Sequence, residues 1–140
     1  MTIKEIQEEI IDEFSMFDDW MERYEYIIEL GKSLPLIDET FKKDENLIVG
    51  CQSKVWLHSE IKDQKIDFTA DSDAILTKGI VAILLRIFNE QTPATILEAD
   101  LFFIDKIGLK EHLSPTRANG LVSMIKQIKL YALAFQSKLS

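Results

Sequence analysis

The chain has 140 residues, of which 46% are hydrophobic and 29% charged, enough for one domain with its own core and unlike a disordered or fibrous chain. One cysteine excludes an internal disulfide, and with two histidines it falls short of the about four ligands that a structural zinc or iron–sulfur site needs. A net charge of -8 disfavours nucleic acid as a partner.

The charge is uneven. Residues 1–25 contain nine acidic side chains and two basic ones, and no acidic residue follows Glu111. The acidic start is either a solvated pair of helix faces or a docking surface for a basic partner. The opening residues lack the basic start and apolar stretch of an export signal, and no apolar run is long enough to span a bilayer, so the cytoplasm is the expected compartment.

Ile3, Ile6, Ile10, Ile11 and Phe14 recur at helical spacing with acidic residues between them, which predicts a helix over 3–13. Asp19 with Glu22 forms an acidic variant of a capping box, and Trp20, Met21, Tyr24, Ile27 and Ile28 carry a second helix to about Gly31. Residues 34–46, with Pro35 and two charged clusters, read as a surface connection. Three short strands are expected next, at 47–49, 55–62 and 65–70, with Asp63-Gln64 as the tight turn of an antiparallel meander.

Asp71, Ser72 and Asp73 are candidate N-caps for a strongly apolar helix over 74–89, expected to be the buried centre of the fold. Thr92-Pro93 starts a short helix through Ala99, a further one at 101–107 stops at Gly108, and Ser114-Pro115 opens a final helix that runs to the C-terminus. The expected architecture is α+β: a small three-stranded antiparallel sheet covered by helices, in one domain over 1–140.

Cys51 lies in Val49-Gly50-Cys51-Gln52-Ser53, between two expected strands. A free cysteine commonly serves as small apolar filler. A place beside Gly50, in a loop at the end of a sheet, equally suits a functional thiol, and residue chemistry leaves the two readings open. A reactive thiol must be available as thiolate, and only Lys54 offers a nearby cation in sequence. Arg117 is a candidate to supply one from elsewhere, because a cation in the first turn of the last helix opposes the helix dipole. Asn119-Gly120 in the same helix suggests close backbone approach just after it. His58 and His112 are 54 residues apart without ligand spacing, and either is a formal candidate for a base to Cys51. No phosphate-binding glycine loop or dinucleotide fingerprint is present.

Gly50-Cys51-Gln52-Ser53-Lys54-Val55-Trp56 resembles the sulfur-acceptor motif of the SufE family. Asp71-Ser72-Asp73-Ala74 with Lys78-Gly79, and the run from His112 to Leu121, are similar to further signatures of that family in the same order. So is the region from Phe17 to Pro35, so that the resemblance covers nearly the whole chain. It implies a SufE/IscU-like fold and a carrier, not an enzyme, with Cys51 as the persulfide acceptor and Gly50, Gln52, Ser53 and Arg117 in support. It also implies a SufS-type cysteine desulfurase as the donor and a SufBCD-type scaffold complex as the recipient. The pyridoxal phosphate would belong to the desulfurase, and this chain would bind no cofactor. The thiol is expected to be shielded in the free protein and to move outward on docking. The rival readings are a thiol hydrolase or peroxidase with a histidine base, and a binding module in which Cys51 is incidental.

Overall fold

A computed structural model of the chain describes residues 1–139. Helix α1 (Ile3–Phe14) begins at a complete capping box, in which Thr2 Oγ1 accepts from the Glu5 amide at 3.1 Å and Glu5 Oε1 from the Thr2 amide at 2.9 Å. Helix α2 (Trp20–Leu30) starts at Asp19, whose carboxylate accepts from the Glu22 amide at 2.8 Å.

Strands β1 (Val55–Lys62) and β2 (Lys65–Ser72) then pair antiparallel along their full length. Asp63 and Gln64 both take positive φ between them, as a two-residue hairpin turn requires. Next come α3 (Ile75–Phe88), α4 (Pro93–Glu98, capped by Thr92), the short turns α5 (Phe103–Lys106) and α6 (Leu109–His112), and the long α7 (Pro115–Leu139).

The sheet has two strands where three are expected. Leu47-Ile48-Val49 makes a single antiparallel bridge, Leu47 to Trp56, with the Ile48 amide donating to the Val55 carbonyl. Pairing ends there because Gly50, at φ 97°, turns the chain away and leaves Val49 90% exposed.

The free edge of β2 is closed by other means. The Ile66 amide donates to the Gln91 carbonyl, the Phe68 amide to Asn89 Oδ1 at 2.6 Å, and the Ala70 amide to the Pro35 carbonyl. Such cover removes the unpaired row that would invite edge-to-edge association. Residues 34–46 run mostly over the surface as expected, with Leu34 and Ile37 buried.

A second correction concerns the start of α3. Its N-cap is Ala74, without a side-chain cap. Strand β2 extends to Ser72, and the three candidates are otherwise engaged: Asp71 pairs with Lys42 at 2.7 Å and Lys78 at 3.3 Å, Asp73 accepts from the Lys54 amide at 3.0 Å, and Ser72 Oγ accepts from the Ala74 amide at 3.3 Å, ahead of the first turn.

Helix α3 is the buried centre, with Ile80, Val81, Ile83, Leu84, Leu85, Ile87 and Phe88 all at 3% exposure or less. The Val55, Leu57, Ile66, Phe68 and Ala70 face of the sheet belongs to the same core. Helix α2 crosses α3 on glycine: a Cβ on Gly79 would lie 2.0 Å from the Ile27 carbonyl oxygen, an impossible separation. Arg86 of α3 ties α1 down through Glu9 and Glu13, the second at 2.9 Å from Nη1 to Oε1. That guanidinium holds the Glu13 carboxyl below its usual range. Tyr26, partly buried and donating to Glu13, is pushed up to about 12. Among the described residues no helix is long and apolar enough to cross a membrane.

Candidate functional site

Gly50 sets the path of the loop. Its φ is one that side chains disfavour, and a Cβ there would fall 2.4 Å from Ser123 Oγ of α7, so glycine alone lets the loop lie against that helix. The next residue, Cys51, is consequently half-buried, and its thiol donates to the Gly120 carbonyl at 3.7 Å.

The Cys51 sulfur borders a cavity of about 10 Å³, the room of one water-sized sphere. Gln52 and Ser53 line it from the loop, Thr77 and Ile80 from α3, and Thr116, Arg117, Gly120 and Met124 from α7. Burial pushes the thiol pKa up, so the resting protein favours the protonated, unreactive form.

Arg117 is exposed and belongs to this lining, brought there by the first turn of α7, where its amide donates to Ser114 Oγ at 3.3 Å. The structure thus gathers Gly50, Cys51, Gln52, Ser53 and Arg117 at one place. Neither histidine joins them. His58 Nε2 contacts Glu60 at 3.1 Å with its ring stacked on Phe41, while His112 stacks on Trp20 and contacts the Gly108 carbonyl through Nδ1. The candidate base of a thiol hydrolase is therefore not at the cavity. Lys54, the cation nearest in sequence, is not in the lining either.

Thr77, Ile80 and Met124 also line the cavity and were not legible as site residues. No sequence signal singles out Thr77, which is followed directly by Lys78 in α3 and is seen to be buried, at 5% exposure, only in the fold. Two exposed apolar side chains flank the site along the chain, Val49 before the loop and Ile75, at 68% exposure, at the start of α3. Among the described residues no group of three or more His, Cys, Asp or Glu side chains could hold a metal ion.

Fold and site together define an α+β domain that presents a single half-buried thiol on a glycine-turned loop, beside a cavity of one atom's size. The chain belongs to the SufE family, described as an Fe-S metabolism associated domain, which it matches over residues 8–132. It is 46% identical over 127 residues to an uncharacterized SufE-like protein of Rhizobium meliloti (strain 1021), covering 87% of this chain and 91% of the relative. A SufE-like protein of Rhizobium etli, also uncharacterized, is 43% identical over 127 residues, 87% of this chain and 86% of its own. The solution structure of a hypothetical protein from Thermus thermophilus shares the fold with a TM-score of 0.77, over 94% of this chain and 96% of that one, at 16% identity.

Proposed function

We propose that the protein is a sulfur carrier of iron–sulfur cluster assembly in the cytoplasm, which takes persulfide sulfur from a SufS-type cysteine desulfurase onto Cys51. It relieves the desulfurase of its product and delivers the sulfur to a SufBCD-type scaffold. The observation that carries this reading is the chain's one thiol, held on the Gly50 turn at the cavity lined by Arg117.

The chemistry is a thiol–disulfide exchange in form. The Cys51 thiol gives its proton to solvent or to the departing donor, and its thiolate attacks the outer sulfur of the donor persulfide. A new S–S bond forms at Cys51 as the donor S–S bond breaks, and the donor cysteine leaves as thiolate with the bonding pair. Sulfur is transferred without net oxidation.

Burial of the thiol and the rise in its pKa suit a carrier that reacts only once a partner opens the loop. Gly50, Gln52 and Ser53 shape that loop, and Arg117 supplies positive charge to the thiolate and the loaded persulfide. Val49 and Ile75 offer apolar contacts for the docked partner. The pyridoxal phosphate is the partner's, and this chain acts as a covalent participant and activator with no turnover of its own.

The test is to mix the protein with a cysteine desulfurase, pyridoxal phosphate and cysteine, then measure its intact mass. The expected result is a gain of one sulfur atom that reduction removes and that Cys51→Ser abolishes. No gain while the desulfurase turns over would refute the reading. Turnover of a thiol ester or peroxide without any partner would favour a thiol enzyme instead.

A further inference from the structure

Gly120 stands inside α7, where glycine is among the least favourable residues. Three ordinary reasons for a glycine fail here. Its φ is not positive. A Cβ added there would lie 3.7 Å from Cys51 Sγ and 3.8 Å from Cys51 Cα, both ordinary van der Waals separations. Nor does helix packing forbid a side chain, in contrast to Gly79, whose Cβ would collide with the Ile27 backbone. Alanine fits the resting protein and would suit the helix better.

A loaded carrier differs from the resting one by a single atom. The second sulfur replaces the thiol hydrogen at an S–S distance of about 2.05 Å. That hydrogen is directed to the Gly120 carbonyl, so the added sulfur starts out toward this stretch of α7 and must turn aside from the carbonyl oxygen. The space beside it is the cavity of about 10 Å³, which Gly120 helps to line. A methyl group 3.7 Å from Sγ would lie well within contact distance of a sulfur that leans toward it.

We propose that Gly120 keeps this space open as the seat of the carried sulfur, and so acts as a positioning residue of the loaded state. The proposal rests on the carrier reading above and names the residue that shelters the cargo. In the seat the outer sulfur is covered by α7 and α3, with Arg117 and Thr77 in the same lining. A small thiolate then reaches it more slowly than it would reach a persulfide held out in solvent. Its attack would break the Cys51 S–S bond, transfer the outer sulfur to the small thiol as a new persulfide and release Cys51 as thiolate.

The test compares the wild-type protein with Gly120→Ala. Each is loaded with inorganic polysulfide, from which the Cys51 thiolate displaces a shorter polysulfide by the same exchange, and in parallel with a cysteine desulfurase, pyridoxal phosphate and cysteine. Intact mass gives the loaded fraction, its decay in glutathione gives the lifetime, and thermal unfolding gives stability. Gly120→Ala should melt at or above the wild-type temperature yet load to a smaller fraction or lose its sulfur several-fold faster. Equal loading with equal lifetime would overturn the seat. So would a melting temperature several degrees lower, because the glycine would then be a packing requirement. Wild-type protein loaded by polysulfide but not by the desulfurase would leave the seat standing and remove the carrier reading. Protein that takes sulfur from neither source would overturn both.

Discussion

The Cys51 sulfur lies 3.7 Å from the carbonyl oxygen of Gly120, to which it donates across 69 residues of sequence. This contact joins the loop after the first bridge to the second turn of α7. It makes the reactivity of the thiol depend on how firmly the loop is held.

Gly50 is the hinge of that hold. Gly50→Ala would put a side chain at φ 97° and 2.4 Å from Ser123 Oγ. The expected cost is about 1–3 kcal/mol of stability, or a displaced loop. In either case alkylation of Cys51 by iodoacetamide should accelerate, and an unchanged rate at unchanged stability would count against this account of the turn.

The thiol itself should titrate late. Burial raises its pKa, so the folded state binds the proton more tightly than the unfolded chain does. The stabilisation this brings is present below the unfolded thiol's pKa and is lost as pH rises through the folded value. Iodoacetamide rates plotted against pH should therefore rise at higher pH in native protein than in protein unfolded by guanidinium. Coincident curves would contradict it.

Gly79 and Gly120 should respond in opposite ways to alanine. At Gly79 the added methyl would meet Ile27 O at 2.0 Å and Ile27 Cγ2 at 2.8 Å, which would force α2 and α3 apart. A loss of about 3 kcal/mol or more in urea unfolding is expected, at the upper end of what overpacking costs. A loss below that of a typical surface substitution would show that the helices part easily.

Arg86 links α3 to Glu9 and Glu13 of α1 at partly buried positions. Arg86→Met should cost about 1–2 kcal/mol at neutral pH, more than an exposed pair and less than a fully buried one. Because Arg86 lowers the Glu13 pKa, the stability from this pair is present above the unfolded carboxyl's pKa and is lost as pH falls through the folded value. The gap in urea midpoint between the variant and the wild type should therefore start to narrow as pH falls below the ordinary glutamate value of about 4.3, and close only below the depressed folded value. A constant gap across that range would refute the assignment.

Helix periods and end signals were legible in the chain. Asp19, Thr92-Pro93 and Ser114-Pro115 mark the starts of α2, α4 and α7 by local chemistry, and the apolar run of α3 announces a buried centre. The third strand was misread because pattern alone cannot register that Val49 has no partner once Gly50 turns the chain. Asp71 and Asp73 do not cap α3 because their carboxylates are claimed by Lys42, Lys78 and the Lys54 amide, which arrive from other parts of the fold, while Ser72 accepts from the Ala74 amide ahead of the helix.

By itself the sequence determined the helices other than α6, the hairpin and the family motif around Cys51, all of which depend on side chains within a few residues of one another. Only the tertiary structure decided that the thiol is half-buried with its pKa pushed up, that it meets the Gly120 carbonyl beside a cavity that Arg117 and Thr77 also line, and that His58 and His112 lie elsewhere. Those facts arise from contacts between a loop at residues 50–53 and two helices that start over 20 and over 60 residues further on. Burial and charge at a site are sums over such neighbours, and the chain order does not contain them.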